Sequence, residues 1–298
     1  MRFLISLLSS TPYIVLPQDL LAWIGWFALS GIIVFLIWKL RLFNKHLGKN
    51  QRIIFLLLTA SVPLTSLFIG IKLPEGTALP PPEVPLDPFG PVAMVFSALP
   101  WILAAGLLGP TPAVLIGLLT GILRALLLTH NIYTPLEVAL LAILFAAAVC
   151  QQYRTPLFRL LSHPLVTALL LSLIYPFIYI GITLFTSRGI LVSRLDYAQT
   201  LLLGTSIAMG VELIIAGMFA EVVALAVPTM WGSEGPLVPS PAERSLRARF
   251  LSNMAPLAII LVLALIVGIW KTQVNGFLVT NNQLPWIIFY LFFNKKIS

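Results

Sequence analysis

Four ionisable side chains fall inside long apolar runs of this sequence: Arg124, Glu137, Glu212 and Glu221. A charge at mid-bilayer costs at least about 2.5–3.5 kcal/mol on insertion scales, so each needs a partner or a cavity. Glu137 stands two residues into its run, where it is expected to reach water. Arg124 lies deeper, in PAVLIGLLTGILRALLLT, and Gly117, Gly121 and Arg124 recur there at helical spacing. Gly117 and Gly121 form GxxxG, a small-residue face that admits a close neighbouring helix and points inward. Two readings of Arg124 stand. It is a packing arginine tied to backbone carbonyls, or a cation facing an anionic or polar ligand from the outer side.

Glu212 and Glu221 are nine residues apart. At about 100° per residue they face opposite sides of a continuous helix, which excludes a carboxylate pair. Glu221 shares its face with Ser206, Gly210 and Gly217, toward the cytoplasmic end. Glu212 falls near the span centre, within about 5 Å of Arg124 in depth at the helical rise. The expectation is an Arg124–Glu212 ion pair or a shared polar cavity lined by both, with Glu221 nearer the inner exit. Charge reversal is the test this suggests: a direct pair is wrong if R124E/E212R behaves no better than either single variant.

Catalytic alternatives fail one at a time. His46, His130 and His163 fall in loops or at span ends, two on one side and one on the other. Cys150 is the single cysteine, which leaves no disulfide framework and no cysteine-based metal site. HExxH, a phosphate-cradling glycine loop and GxSxG are all missing. No catalytic residue, metal or cofactor is expected, and the chain is read as not an enzyme.

The elements that position these residues follow from composition. Of 298 residues, 59% are apolar and 9% charged, with a mean hydropathy of +1.01. Soluble domains carry roughly 45–50% apolar and about 25% charged residues, so a soluble globule is excluded. A crossing helix needs roughly 20 apolar residues, and that ruler gives eight candidates: 19–38, 53–72, 92–108, 112–129, 135–150, 165–185, 200–226 and 254–270. The third and fourth are short and separated only by GPTP, so they form a tight hairpin or a partly re-entrant pair.

Basic residues set the orientation. Loop 39–52 holds Lys39, Arg41, Lys45, Lys49 and Arg52 without an acid; 151–164 holds Arg154 and Arg159; 227–253 holds Arg244, Arg247 and Arg249. Eight spans put all three loops on the cytoplasmic side. The opposite loop 73–91 carries Glu75, Glu83 and Asp87, while 186–199 breaks the pattern with Arg188 and Arg194. The fold expected is an all-α integral membrane protein of about eight transmembrane helices, with both termini outside. It is a seven-helix body plus one trailing helix, a multi-pass protein of the inner (plasma) membrane.

Punctuation divides the chain. The proline-rich loop 73–91 is expected to be stiff and extended. Residues 1–227 form the input body, 228–243 (PTMWGSEGPLVPSPAE) a Pro/Gly-rich cytoplasmic linker, and 244–298 a basic segment, one helix and a short outer tail. Residues 1–10 have some signal-peptide character but no small-residue cleavage site, so no cleavage is expected. The aromatic run WIIFYLFF (286–293) suggests a truncated or frame-altered end; the alternative is an interfacial anchor with Lys295 and Lys296 at the headgroups.

The pair of spans at 92–129 resembles the LytS-type receptor region of bacterial sensor histidine kinases. The positions that carry the resemblance are Gly106, Gly109, Pro110, Gly117, Gly121 and Arg124. The same glycines double as a helix-packing motif. The region is also similar in pattern to substrate-binding membrane subunits of vitamin transporters. Residues 244–279, a basic start followed by one uninterrupted span, resemble the first signalling helix of chemoreceptors and Cache-type sensor kinases. The resemblance implies a sensor domain and a kinase or cyclase beyond that helix, yet no kinase histidine box or nucleotide-binding motif stands in this chain. The expected function is therefore a sensory input module lacking its output, and the rivals are a small-molecule transporter or its binding subunit, and a ligand-free scaffold. Expected partners are the lipid bilayer, a small-molecule ligand and a second copy in a homodimer, with no nucleic acid.

Overall fold

A computed structural model describes residues 12–17, 19–41, 48–73, 90–186, 191–232, 238–240 and 254. The chain divides into Met1–Val238 and Pro239–Ser298. The eighth candidate span, the aromatic run and most of the trailing segment lie outside the described residues, as do residues 1–10.

The first unit is mostly helical. Its order is α1 (Leu20–Leu40), α2 (Lys49–Leu67), β1 (Gly70–Lys72), β2 (Val92–Met94), α3 (Leu99–Leu107), α4 (Pro110–Arg124), a π-helical turn (Ala125–Thr129), α5 (Thr134–Val149), α6 (Pro156–Leu161), α7 (Pro164–Thr186) and α8 (Leu191–Ala226). Proline starts most of these helices: Pro100, Pro110, Pro135, Pro156 and Pro164 each occupy a first or second helical position. There the missing N–H costs nothing and the fixed φ is already helical.

Among the described residues, four helical stretches are long and apolar enough to cross a membrane: Leu20–Leu40, Pro110–Thr129, Pro164–Thr186 and Arg194–Ala226. Their outward faces carry exposed Leu20, Phe27, Val34, Leu173, Leu203 and Val222, a surface suited to hydrocarbon rather than water. Helix α8 has 36 residues, about 54 Å at the helical rise, well beyond a ~30 Å hydrocarbon layer.

The stretch 92–108, which the length ruler offers as a span, takes a different form. It is a buried three-residue strand, a turn and the nine-residue helix α3, about 14 Å long and so half a bilayer. The second candidate likewise stops being helical at Leu67, and Gly70–Lys72 turns to pair antiparallel with Val92–Met94 in the register Gly70↔Met94, Ile71↔Ala93, Lys72↔Val92. Flanking bonds from Leu73 N–H to the Pro91 carbonyl (2.9 Å) and from Val95 N–H to the Ile69 carbonyl (3.0 Å) extend the clasp. The two ends of the proline-rich loop are thereby tied together.

The core lies between α3, α4, α5, α7 and α8, with Trp101, Ile102, Leu141, Phe145, Leu171 and Leu213 fully or nearly buried. Small residues let the helices close. A Cβ on Gly121 would lie 2.5 Å from Pro135 Cα, and one on Gly117 3.0 Å from Ala142 Cβ, so the GxxxG face is the α4–α5 seam. A Cβ on Gly217 would meet Ala168 Cβ at 2.6 Å in the α7–α8 seam. Gly106 leaves room for the Trp231 ring, and its carbonyl accepts from Gly232 N–H at 2.9 Å. Gly109, at φ 99°, makes the left-handed corner between α3 and α4 that residues with a Cβ rarely adopt. Cys150 is buried, its thiol donating to the Ala105 carbonyl at 3.2 Å.

Candidate functional site

The site is built where regular backbone stops. Strand β2 runs buried against α8 and ends at Met94, whose N–H turns toward α8, and the following turn presents Ser97 to it. Helix α4 brings Arg124 to the same place, and its regular turns give way to the π-helical segment at the next residue. Such segments widen a helix locally and frequently mark functional sites.

These elements converge on Glu212, only 1% exposed and fourteen residues from the end of α8. Arg124 Nη1 lies 2.7 Å from Glu212 Oε2. The same oxygen accepts from Ser97 Oγ at 2.6 Å, and Oε1 accepts from Met94 N–H at 2.7 Å. Arg124 Nη2 also donates to the Val92 carbonyl at 3.3 Å. The arginine therefore performs both duties foreseen separately: it pairs with a buried anion and satisfies a strand carbonyl. Every oxygen of Glu212 is occupied, as a buried acceptor-only group requires.

Glu137 sits in the first turn of α5 and is partly exposed as a residue. Its Oε1 is buried and has no hydrogen-bond partner among the described residues. Tyr175 on α7, Arg124 and Glu212 are all near enough to act on its carboxylate electrostatically. Pro176 directly follows Tyr175 inside α7 and so removes a helix bond at the level of the site.

Glu221 belongs elsewhere. It accepts Leu165 N–H at 3.2 Å and lies 3.1 Å from His163 Nδ1, at the start of α7. A carboxylate there complements the positive end of the helix dipole. At the other end of α7, Arg194 donates to the Leu184 carbonyl at 3.1 Å. Both ends of α7 are thus held by residues of opposite charge from α8. Arg194, one of the two arginines that break the charge pattern of 186–199, thus stands in helix α8 rather than in a loop. Glu212 and Glu221 stand about 13 Å apart along the helix axis, each with its own partners.

Spacing could not foresee Ser97, Met94 N–H, Val92 O or Tyr175 at this site. The one sequence signal for Ser97 is a hydroxyl in an otherwise apolar run. Among the described residues, no group of three or more His, Cys, Asp or Glu side chains could hold a metal ion.

The long apolar helices mark a helical membrane protein, and its buried ion pair, carried by α4 and α8, is held by strand β2 and the turn after it. No family model, curated protein or solved structure matches the chain.

Proposed function

We propose that this chain is the membrane-embedded input module of a bacterial signalling protein, of the sensor-kinase kind, whose polar centre receives a small ligand. The observation that carries the reading is the Arg124–Glu212 pair, buried and held by Met94 N–H and Ser97 on irregular backbone. Non-helical backbone at membrane depth is tolerated where protein or a polar cavity covers it, and a structure with that demand is suited to binding. In this reading the protein is multi-pass in the plasma membrane with the loops 39–52, 151–164 and 227–253 cytoplasmic. Arg124 and Glu212 line the ligand site, and Glu221 holds α7. The ligand acts by preferring one of two helix arrangements. The π-helical turn after Arg124 and the Pro176 position of α7 are where a helix can change register at least cost.

A second reading has its own support. Discontinuous elements around a mid-membrane polar site are also how transporters bind substrate, and β2–turn–α3 is such an element. Sequencing the locus beyond codon 298 and its neighbours separates the two. A kinase or cyclase output in frame is the expected result; an adjacent ATPase or permease gene transfers the assignment to a transporter subunit. Finding neither refutes both.

A further inference from the structure

The charges at the polar centre do not balance. Arg124 is spent on Glu212 Oε2 and the Val92 carbonyl, and Glu212 is spent on Arg124, Ser97 and Met94 N–H. Glu137 is the surplus group. Around it stand Tyr175 and Tyr179 from α7, Glu212 from α8 and Arg124 from α4, and Arg124 is the one cation among the described residues that faces it. With both carboxylates ionised the cluster carries one uncompensated negative charge, on a partly exposed residue whose Oε1 is shut off from water, and an unpaired buried oxygen is costly. The first turn of α5 favours a carboxylate through the helix dipole, but no N–H of that turn reaches the buried Oε1.

We propose that Glu137 Oε1 accepts a single positive charge, supplied as a proton, an alkali cation or the ammonium group of a ligand, so that the site selects cations. This deepens the ligand-site reading above and rests on it. It also reverses what Arg124 suggests in isolation: the arginine is neutralised inside the fold, and the unmet demand is a carboxylate's.

The test uses the full chain in lipid nanodiscs, with Glu137→Gln as the isosteric neutral variant and Glu137→Asp in reserve. Infrared difference spectra across the pH range of the folded protein report the carbonyl stretch of a protonated carboxylic acid. Tryptophan-fluorescence melts report saturable stabilisation by sodium, potassium or methylammonium chloride, against choline chloride at constant ionic strength. A protonated-carboxyl band lost in Glu137→Gln and shifted in Glu137→Asp identifies the proton. A band that is missing, with saturable stabilisation lost in the variant, identifies the cation or, for methylammonium alone, an ammonium-bearing ligand. The absence of both signals overturns the proposal. The outcome is independent of the locus: a cation effect without an output or transport gene leaves this site standing and removes the function assigned to it.

Discussion

Replacing Glu212 by leucine removes the acceptor for three donors at once, and its cost follows from what is stranded. Arg124, with a side chain 12% exposed, loses its counter-ion; breaking a buried pair from one side costs about 3–5 kcal/mol. Met94 N–H loses its acceptor, worth about 1–3 kcal/mol for a buried donor. Both costs stem from one carboxylate and do not add in full, so a loss of about 4–6 kcal/mol is expected. At about 2–4 °C per kcal/mol this lowers Tm by roughly 10–20 °C. Arg124→Leu/Glu212→Leu should be the more stable variant by about 2 kcal/mol, since an apolar pair strands no charge. Thermal melts of the full chain in nanodiscs, completed as a double-mutant cycle, measure the coupling. If the double variant melts no higher than Glu212→Leu, the pair is not what holds the centre together. Charge reversal is a poor test: an arginine at position 212 has no acceptor for Met94 N–H or Ser97, so R124E/E212R is expected to fail although the pair is real.

Three further outcomes are expected. Gly121→Ala should destabilise by about 1–3 kcal/mol, because its Cβ would meet the Pro135 backbone at 2.5 Å and force α4 from α5; Gly181→Ala, with nothing within 4 Å, should be neutral or mildly stabilising. Comparable melts for the two would contradict the seam. Glu221→Gln and Arg194→Ala should each cost about 0.3–1 kcal/mol through the ends of α7, leaving the Glu137 cation response intact; its loss in either variant would put them in the site. Gly106→Ala should displace the Trp231 ring, whose carbons lie 2.4–2.5 Å from the Cβ position, and red-shift its fluorescence, an effect absent if that contact does not form.

Much of the frame can be read along the chain. Apolar excess marks the membrane class, the rise per residue brings Arg124 and Glu212 to one depth, and GxxxG announces a close helix neighbour. These are local properties: depth follows from counting residues, and a small side chain stays small wherever its helix goes. The prolines were legible as punctuation too, since a residue lacking N–H belongs at a helix start.

The tertiary structure decided what counting cannot reach. The run 92–108 is as apolar as a span, and only pairing with Gly70–Lys72 makes its first residues a strand whose N–H reaches a glutamate more than a hundred positions away. Glu221 and Arg194 acquire their roles from α7 lying antiparallel beside α8, and Glu137 Oε1 is shut off from water where α5 packs against α4 and α7. Hydrophobicity specifies that a segment leaves water. Which neighbour meets each face, and which polar atom is left without a partner, depends on how the elements pack.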